Sequence, residues 1–106
     1  MAVQIANDAT FRDVLNANPN VIVKYYADWC GSCKLFAPKF RRLSESEASA
    51  GVTFVDVNAE EAPEARKMAG VDNLPFFAIF KNGQLVEATS TSKEERVVEL
   101  IEKVKA

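Results

Sequence analysis

Val21 to Ala27 reads Val-Ile-Val-Lys-Tyr-Tyr-Ala, and no other stretch constrains the fold of this chain as strongly. The run is rich in β-branched and aromatic residues, which predicts a strand. It is apolar at both alternating sets of positions except at Lys24, so the strand is buried on both faces and needs cover on each. Trp29-Cys30-Gly31-Ser32-Cys33-Lys34 follows at once, where the strand pattern gives way to a helical one. Both cysteines of the protein lie there. A thiol at the first turn of a helix faces unpaired backbone N–H groups and the positive end of the helix dipole, which stabilise its thiolate. A second thiol three positions on is one turn away and can close a small disulfide ring with the first. The pair therefore reads as a reversible two-electron redox switch.

Composition narrows the chemistry further. At 106 residues the chain is expected to be one domain, residues 1–106, large enough for a core without metal or disulfide staples. Thirteen basic residues are scattered among fifteen acidic ones for a net charge of −2, so nothing draws the chain to nucleic acid or to an anionic membrane. No apolar segment approaches the roughly 20 residues of a membrane span. Met1 to Asp8 has neither a basic n-region nor an apolar h-region, so a cytoplasmic location is expected. In a reducing cytosol a lone cysteine pair is more often catalytic than structural. The sequence contains no histidine, which excludes Cys-His proteases, Ser-His-Asp hydrolases and His-containing zinc sites.

The pattern predicts the order β-α-β-α-β-α-β-β-α. Val3–Ile5 is a short strand, and Asp8 caps a helix over Ala9–Ala17. After the Val21–Ala27 strand, a helix runs from Gly31 or Ser32 to about Ala48, with Leu35, Phe36, Phe40 and Leu43 as its apolar stripe and Pro38 inside it. Val52–Val57 is a second central strand, parallel to the first if the helix between them is a crossover. Pro63–Ala69 is a short helix with Gly70 as its C-cap. Phe76–Phe80 and Gln84–Ala88 flank Lys81-Asn82-Gly83 as a hairpin, and Ser92 to Glu95 reads as a capping box opening a last amphipathic helix through Val104. The implied architecture is a mixed sheet with helices on both faces.

Taken in order, these pieces resemble the thioredoxin family: a strand before Trp-Cys, CxxC at a helix start, Pro38, Asn58 after the next central strand, Leu74-Pro75 before a strand, and Phe80-Lys81-Asn82-Gly83 at the hairpin. The resemblance spans nearly the whole chain. It implies the thioredoxin fold, a three-layer α/β/α arrangement around a central mixed sheet. It also implies a protein-disulfide reductase in which Cys30 attacks a substrate disulfide and Cys33 resolves the mixed disulfide. Pro75 is then a cis-proline facing the sulfurs, Leu74 offers its backbone to an extended substrate, and Trp29 and Gly31 complete the substrate surface. The implied redox group is the Cys30–Cys33 disulfide, with no metal and no other cofactor. The implied partners are protein disulfides and a reductase such as thioredoxin reductase, with the chain acting as a monomer.

Four departures from the family pattern bear on redox tuning. Ser32 stands where thioredoxins usually have proline, and it adds a backbone donor and a hydroxyl beside the sulfurs. Lys24 occupies the strand position of a usual buried acid under the resolving cysteine, and the family alignment sets Asp56 against it, which suggests a charge-swapped pair. A cation there favours the Cys33 thiolate, whereas a neutral amine can take its proton. Phe76 replaces the usual threonine after Pro75, and the loop Ala88–Ser92 is short and lacks the usual glycine.

Two other functions fit the same residues. One is a thioredoxin-fold adaptor that binds a partner without catalysis. The other is a metal-binding protein, in which a four-ligand site needs a dimer or carboxylates because one CxxC supplies only two thiolates.

Overall fold

The computed structural model describes residues 3–106; Met1 and Ala2, part of the N-terminal segment read above for a leader pattern, lie outside them. In chain order come β1 (Gln4–Ala6), α1 (Phe11–Ala17), β2 (Asn20–Tyr26), α2 (Gly31–Ser44), β3 (Thr53–Asn58), α3 (Pro63–Ala69), β4 (Phe76–Lys81), β5 (Gln84–Ser90) and α4 (Glu94–Lys105), with a 3-10 turn over Glu47–Ser49. The strands form one sheet in the order β1-β3-β2-β4-β5. β1 and β2 run parallel to β3, while β4 runs antiparallel to β2 and to β5. This is the mixed sheet expected from the sequence.

Alternation along β2 divides the interior into two cores. Val21, Val23 and Tyr25 face Phe11 and Leu15 of α1 and Ala65 and Ala69 of α3. Ile22 faces Phe36 and Phe40 of α2 and Leu100 and Ile101 of α4. Each fully buried side chain of this size stabilises the fold by about 1.5–3 kcal/mol. The ring centroids of Phe36 and Phe40 lie 5.1 and 5.7 Å from that of Phe77 on β4, and this contact fixes where α2 sits on the sheet. No described helix is long and apolar enough to cross a membrane.

Several local expectations are corrected by tertiary structure. Asp8 does not cap α1, which begins at Phe11 after a turn in which Asn7 Oδ1 accepts from the Ala9 and Thr10 amides. Asp8 instead accepts from the amides of Glu64 and Ala65 at 3.1 and 2.9 Å, at the start of α3. Pro63 has no N–H and the N-cap Ala62 has no side-chain acceptor, so the first free amides of α3 take their partner from 56 and 57 residues away. The capping box at Ser92 is likewise not formed. α4 starts at Glu94, Thr91 Oγ1 accepts from the Lys93 amide, and Glu94 and Glu95 complement the helix dipole.

α2 ends at Ser44 instead of Ala48, and the remainder becomes the 3-10 turn. Its buried stripe is Cys33, Phe36, Phe40 and Ser44, whereas Leu35 is 75% exposed. At 100° per residue, Leu35 lies well off the line through Phe36 and Phe40. The supposed loop Ala88–Ser92 is strand as far as Ser90, where Ala88, Thr89 and Ser90 pair with Ala78, Phe77 and Phe76. The hairpin turn places Asn82 at φ 52° and Gly83 at φ 81°, as a two-residue turn between twisted strands requires.

Candidate active site

Cys30 is the N-cap of α2 and keeps extended backbone angles, so its sulfur swings back over the first helical turn. There Cys30 Sγ accepts from the Cys33 amide at 3.1 Å, the contact a capping oxygen ordinarily makes. The 14-residue helix behind it directs its dipole at that sulfur. Cys30 and Cys33 are joined as a disulfide with their Cα atoms 5.3 Å apart. Both are buried, Cys30 at 5% exposure and Cys33 at 2%, and they pack with Ala27, Tyr26 and Leu74. Ser32 Oγ lies 3.6 Å from Cys30 Sγ, so the hydroxyl that replaces the usual proline touches the sulfur itself.

Around the disulfide the chain presents a surface to solvent. Trp29 is 68% exposed, which excludes a role in core packing. Its indole Nε1 donates to Glu60 Oε2 at 2.6 Å. Glu60 is held in turn by its own amide, which donates to Asn58 Oδ1, and the next turn is tied by the Ala59 amide donating to the Tyr26 carbonyl at 2.7 Å. A Cβ on Gly31 meets nothing within 4 Å, so this flank is open. The Leu74–Pro75 peptide is cis, and Leu74 packs against the cysteine cluster. The Pro75 carbonyl accepts from the Thr91 amide and from Ser90 Oγ, which anchors this segment to the end of β5. Phe76 turns into the core and packs edge-on to Tyr25, with ring centroids 6.2 Å apart.

Behind Cys33 lies a cavity of about 170 Å³, lined by Lys24, Tyr26, Ala27, Asp28, Cys33, Lys34, Ala37 and Asp56. Lys24 and Asp56 are direct register partners on β2 and β3, and Lys24 Nζ lies 3.4 Å from Asp56 Oδ1. Lys24 is 3% exposed, and its ammonium also sits 5.2 Å from the ring centroid of Phe40 and 5.7 Å from that of Tyr26. Asp56 Oδ1 is buried and has no hydrogen-bond partner among the described residues, so its contact with Lys24 is electrostatic. Burial pushes the Asp56 carboxyl above the usual carboxylate range, against the pull of the Lys24 and Arg41 cations. The Tyr26 phenol is pushed up by burial and by the carboxylates of Asp56, Asp28 and Glu61.

The structure thus gathers Lys24, Asp56, Trp29, Gly31, Ser32, Leu74 and Pro75 around the two cysteines. Sequence reasoning missed Glu60, Tyr26 and Phe40. Asn58 followed by Glu60 carried a weak turn signal, and Tyr26 shares the strand face of Lys24, but Phe40 reads only as core. Among the described residues, no group of three or more His, Cys, Asp or Glu side chains gathers where a metal ion could sit.

The family model described as Thioredoxin matches residues 2–105. Thioredoxin-1 of Schizosaccharomyces pombe is 34% identical over 87 residues, which is 82% of each chain. Thioredoxin 1 of Plasmodium falciparum is 29% identical over 102 residues, 96% of each chain. Among solved structures, thioredoxin F from spinach chloroplast (short form) superposes with a TM-score of 0.90 at 27% identity, covering 99% of this chain and 95% of that one. Malassezia sympodialis thioredoxin superposes with a TM-score of 0.89 at 27% identity, covering 100% and 96%.

Proposed function

We propose a division of labour for this chain, which belongs to the thioredoxin family and is a thiol–disulfide oxidoreductase of the protein-disulfide-reductase type. Cys30 is the attacking sulfur and Cys33 the resolving one. In the reduced protein the Cys30 thiolate is stabilised by the Cys33 amide, by the α2 dipole and by the Ser32 hydroxyl. It attacks one sulfur of a substrate disulfide, forms a Cys30–substrate bond and expels the other sulfur as a thiolate. Cys33 then attacks Cys30 Sγ, closes the internal disulfide and releases the second substrate thiolate.

Trp29, Gly31 and the Leu74–Pro75 segment receive the substrate chain. The Leu74 amide already donates to Asn73 Oδ1 at 2.9 Å, so its carbonyl is the group offered to an extended substrate. Lys24 and Asp56 tune the resolving sulfur through the cavity they share with it. The redox group is the cysteine pair itself, without a further cofactor.

The substrates are protein disulfides, and a reductase returns the electrons. We take that reductase to be thioredoxin reductase, and the chain to work as a cytoplasmic monomer. The cytoplasmic reading is supported by the use of both cysteines in the redox pair, with none left for structural bridges. The observation that carries the division of labour is the position of Cys30 Sγ at the N-cap, accepting the Cys33 amide. Cys33→Ser is expected to accumulate mixed disulfides with substrate, and Cys30→Ser to form none, both read on non-reducing gels after mixing with a protein disulfide. Trapping by Cys30→Ser instead would reverse the assignment.

A further inference from the structure

We propose that the outer face of α2 is a docking surface for acidic protein substrates, whose carboxylates lie along the helix while their disulfide meets Cys30. The inference rests on the reductase reading above and names the substrate class of that same site. α2 carries Lys34, Lys39, Arg41 and Arg42 and no acidic residue, in a chain whose net charge is −2. All four are exposed. Arg42 Nη2 lies 3.3 Å from Glu94 Oε1, while Lys34, Lys39 and Arg41 form no ion pair with a described residue. Arg41 acts on Asp56 only at longer range. Asp28 shares the rim of the cavity with Lys34 and offsets part of its charge, so Lys39 and Arg41 dominate the face.

The arrangement of these residues gives the surface a direction. At 100° per residue, Gly31, Leu35, Pro38 and Arg42 fall within a sector of about 60° at the centre of the exposed face. Lys34 and Arg41 border that ridge on one side and Lys39 on the other. The ridge starts at Gly31, on the open flank of the disulfide, and Leu35 stands on it 75% exposed. A substrate segment of mixed apolar and acidic character covers Leu35 and Pro38 with its apolar side chains. Its carboxylates then reach the cations on either side. Beyond Trp29 the sign reverses: Glu60 accepts from the indole, and Glu60 and Glu61 are both exposed. An acidic segment is repelled from that turn and drawn to α2, which orients it across the disulfide. A protein fits this face better than a lipid surface does. The ridge offers one large apolar side chain, and the acidic turn beside Trp29 opposes an anionic membrane.

Two synthetic peptides test this, each with an intramolecular disulfide followed by leucines interleaved with four glutamates in one and four glutamines in the other. Reduced protein is mixed with oxidised peptide at low salt and quenched with acid, and the second-order rate is read by chromatography. The glutamate peptide is expected to react about tenfold faster, and Lys39→Glu to cut that ratio about fivefold. Arg12→Glu makes the same change in net charge on α1, across the sheet, and is expected to keep the ratio. A change in the redox pair itself moves both peptides alike, so the ratio reads docking alone. Leu35→Ser is expected to slow both peptides about threefold. Equal rates for the two peptides, equal losses of ratio in Lys39→Glu and Arg12→Glu, or a wild-type rate in Leu35→Ser overturns the proposal. So does binding to phosphatidylserine vesicles without a preference between the peptides, which assigns the face to a lipid surface. If Lys39→Glu is unfolded by circular dichroism, salt decides alone: a ratio that collapses by about 0.5 M supports the proposal, and one that survives overturns it. Reduction of neither peptide strikes the exchange reading and the docking proposal with it, whereas equal reduction of both strikes docking only.

Discussion

Removing one member of the Lys24–Asp56 pair should have unequal consequences for stability depending on which member goes. Unit charges 3.4 Å apart attract by about 5 kcal/mol at an effective dielectric of about 20. Taking each ion out of water costs several kcal/mol, so the pair as a whole adds little to the fold. Lys24→Met keeps an unbranched apolar stem against Phe40 and removes the buried charge. It leaves the Asp56 carboxyl without its cation. That side chain is 24% exposed and burial already raises its pKa, so it can take a proton, and the loss is expected to be smaller than that from removing the carboxylate. Asp56→Ala leaves the buried ammonium without its carboxylate, at an expected cost of about 3 kcal/mol. That figure sits at the low end because the Asp56 side chain is 24% exposed and water can partly replace it. The double variant should recover most of the loss, a non-additivity that a cycle reads directly.

Urea unfolding of the oxidised proteins, with midpoints compared at constant slope, measures all four corners. Equal losses for Lys24→Met and Asp56→Ala would mean that the carboxyl left behind is as costly as the ammonium, and the reasoning fails. The pH dependence has a definite sign as well. Burial raises the folded-state pKa of Asp56, so the folded protein binds that proton more tightly than the unfolded chain. The stability from this group is full below the ordinary carboxylate range and is lost as pH rises through the raised value. Asp56→Asn should flatten that decline.

Two further expectations concern the sulfur and the scaffold. Ser32→Pro removes both the hydroxyl 3.6 Å from Cys30 Sγ and a backbone donor, so the thiolate form should be less favoured and the reduction potential lower. An unchanged or higher potential against glutathione refutes this. Asp8→Ala removes the acceptor of two α3 amides and should cost about 1–2 kcal/mol, or about 4–8 °C of melting temperature per kcal/mol. A wild-type melting curve for that variant would show that water replaces the carboxylate.

The parts of this molecule that follow from short-range rules were legible in its sequence. The two-faced β2 run demanded cover on both sides, Asn82-Gly83 demanded a tight turn, and a cysteine before a helical pattern demanded a sulfur at an N-terminus. The Lys24–Asp56 contact was legible only through the family alignment, and strand register delivers it because parallel neighbours hold opposite residues side by side. What stayed hidden depends on packing between distant elements. Asp8 sits just before a helix and looks like its cap, yet α3 has the stronger need because Pro63 and Ala62 leave its first amides without a local acceptor. Leu35 and Phe36 are equally apolar neighbours, and only the placement of α2 on Phe77 decides which of them is buried.

The same placement explains how a lysine is tolerated behind the redox pair. Phe40 is a core residue by every sequence criterion, and its ring packs on Phe54 and Phe77. The end of β2 brings Lys24 against that ring, and Tyr26, two residues on along the same strand face, supplies a second. A buried ammonium there needs a carboxylate, aromatic faces and a route to solvent, and it has all three: Asp56, the two rings, and a cavity opening beside Asp28 and Lys34. Substituting an acid at position 24 without changing Asp56 would set two carboxylates face to face across the register. The charge arrangement behind Cys33 is therefore a property of the pair, because Lys24 and Asp56 are register partners that line one cavity with that sulfur.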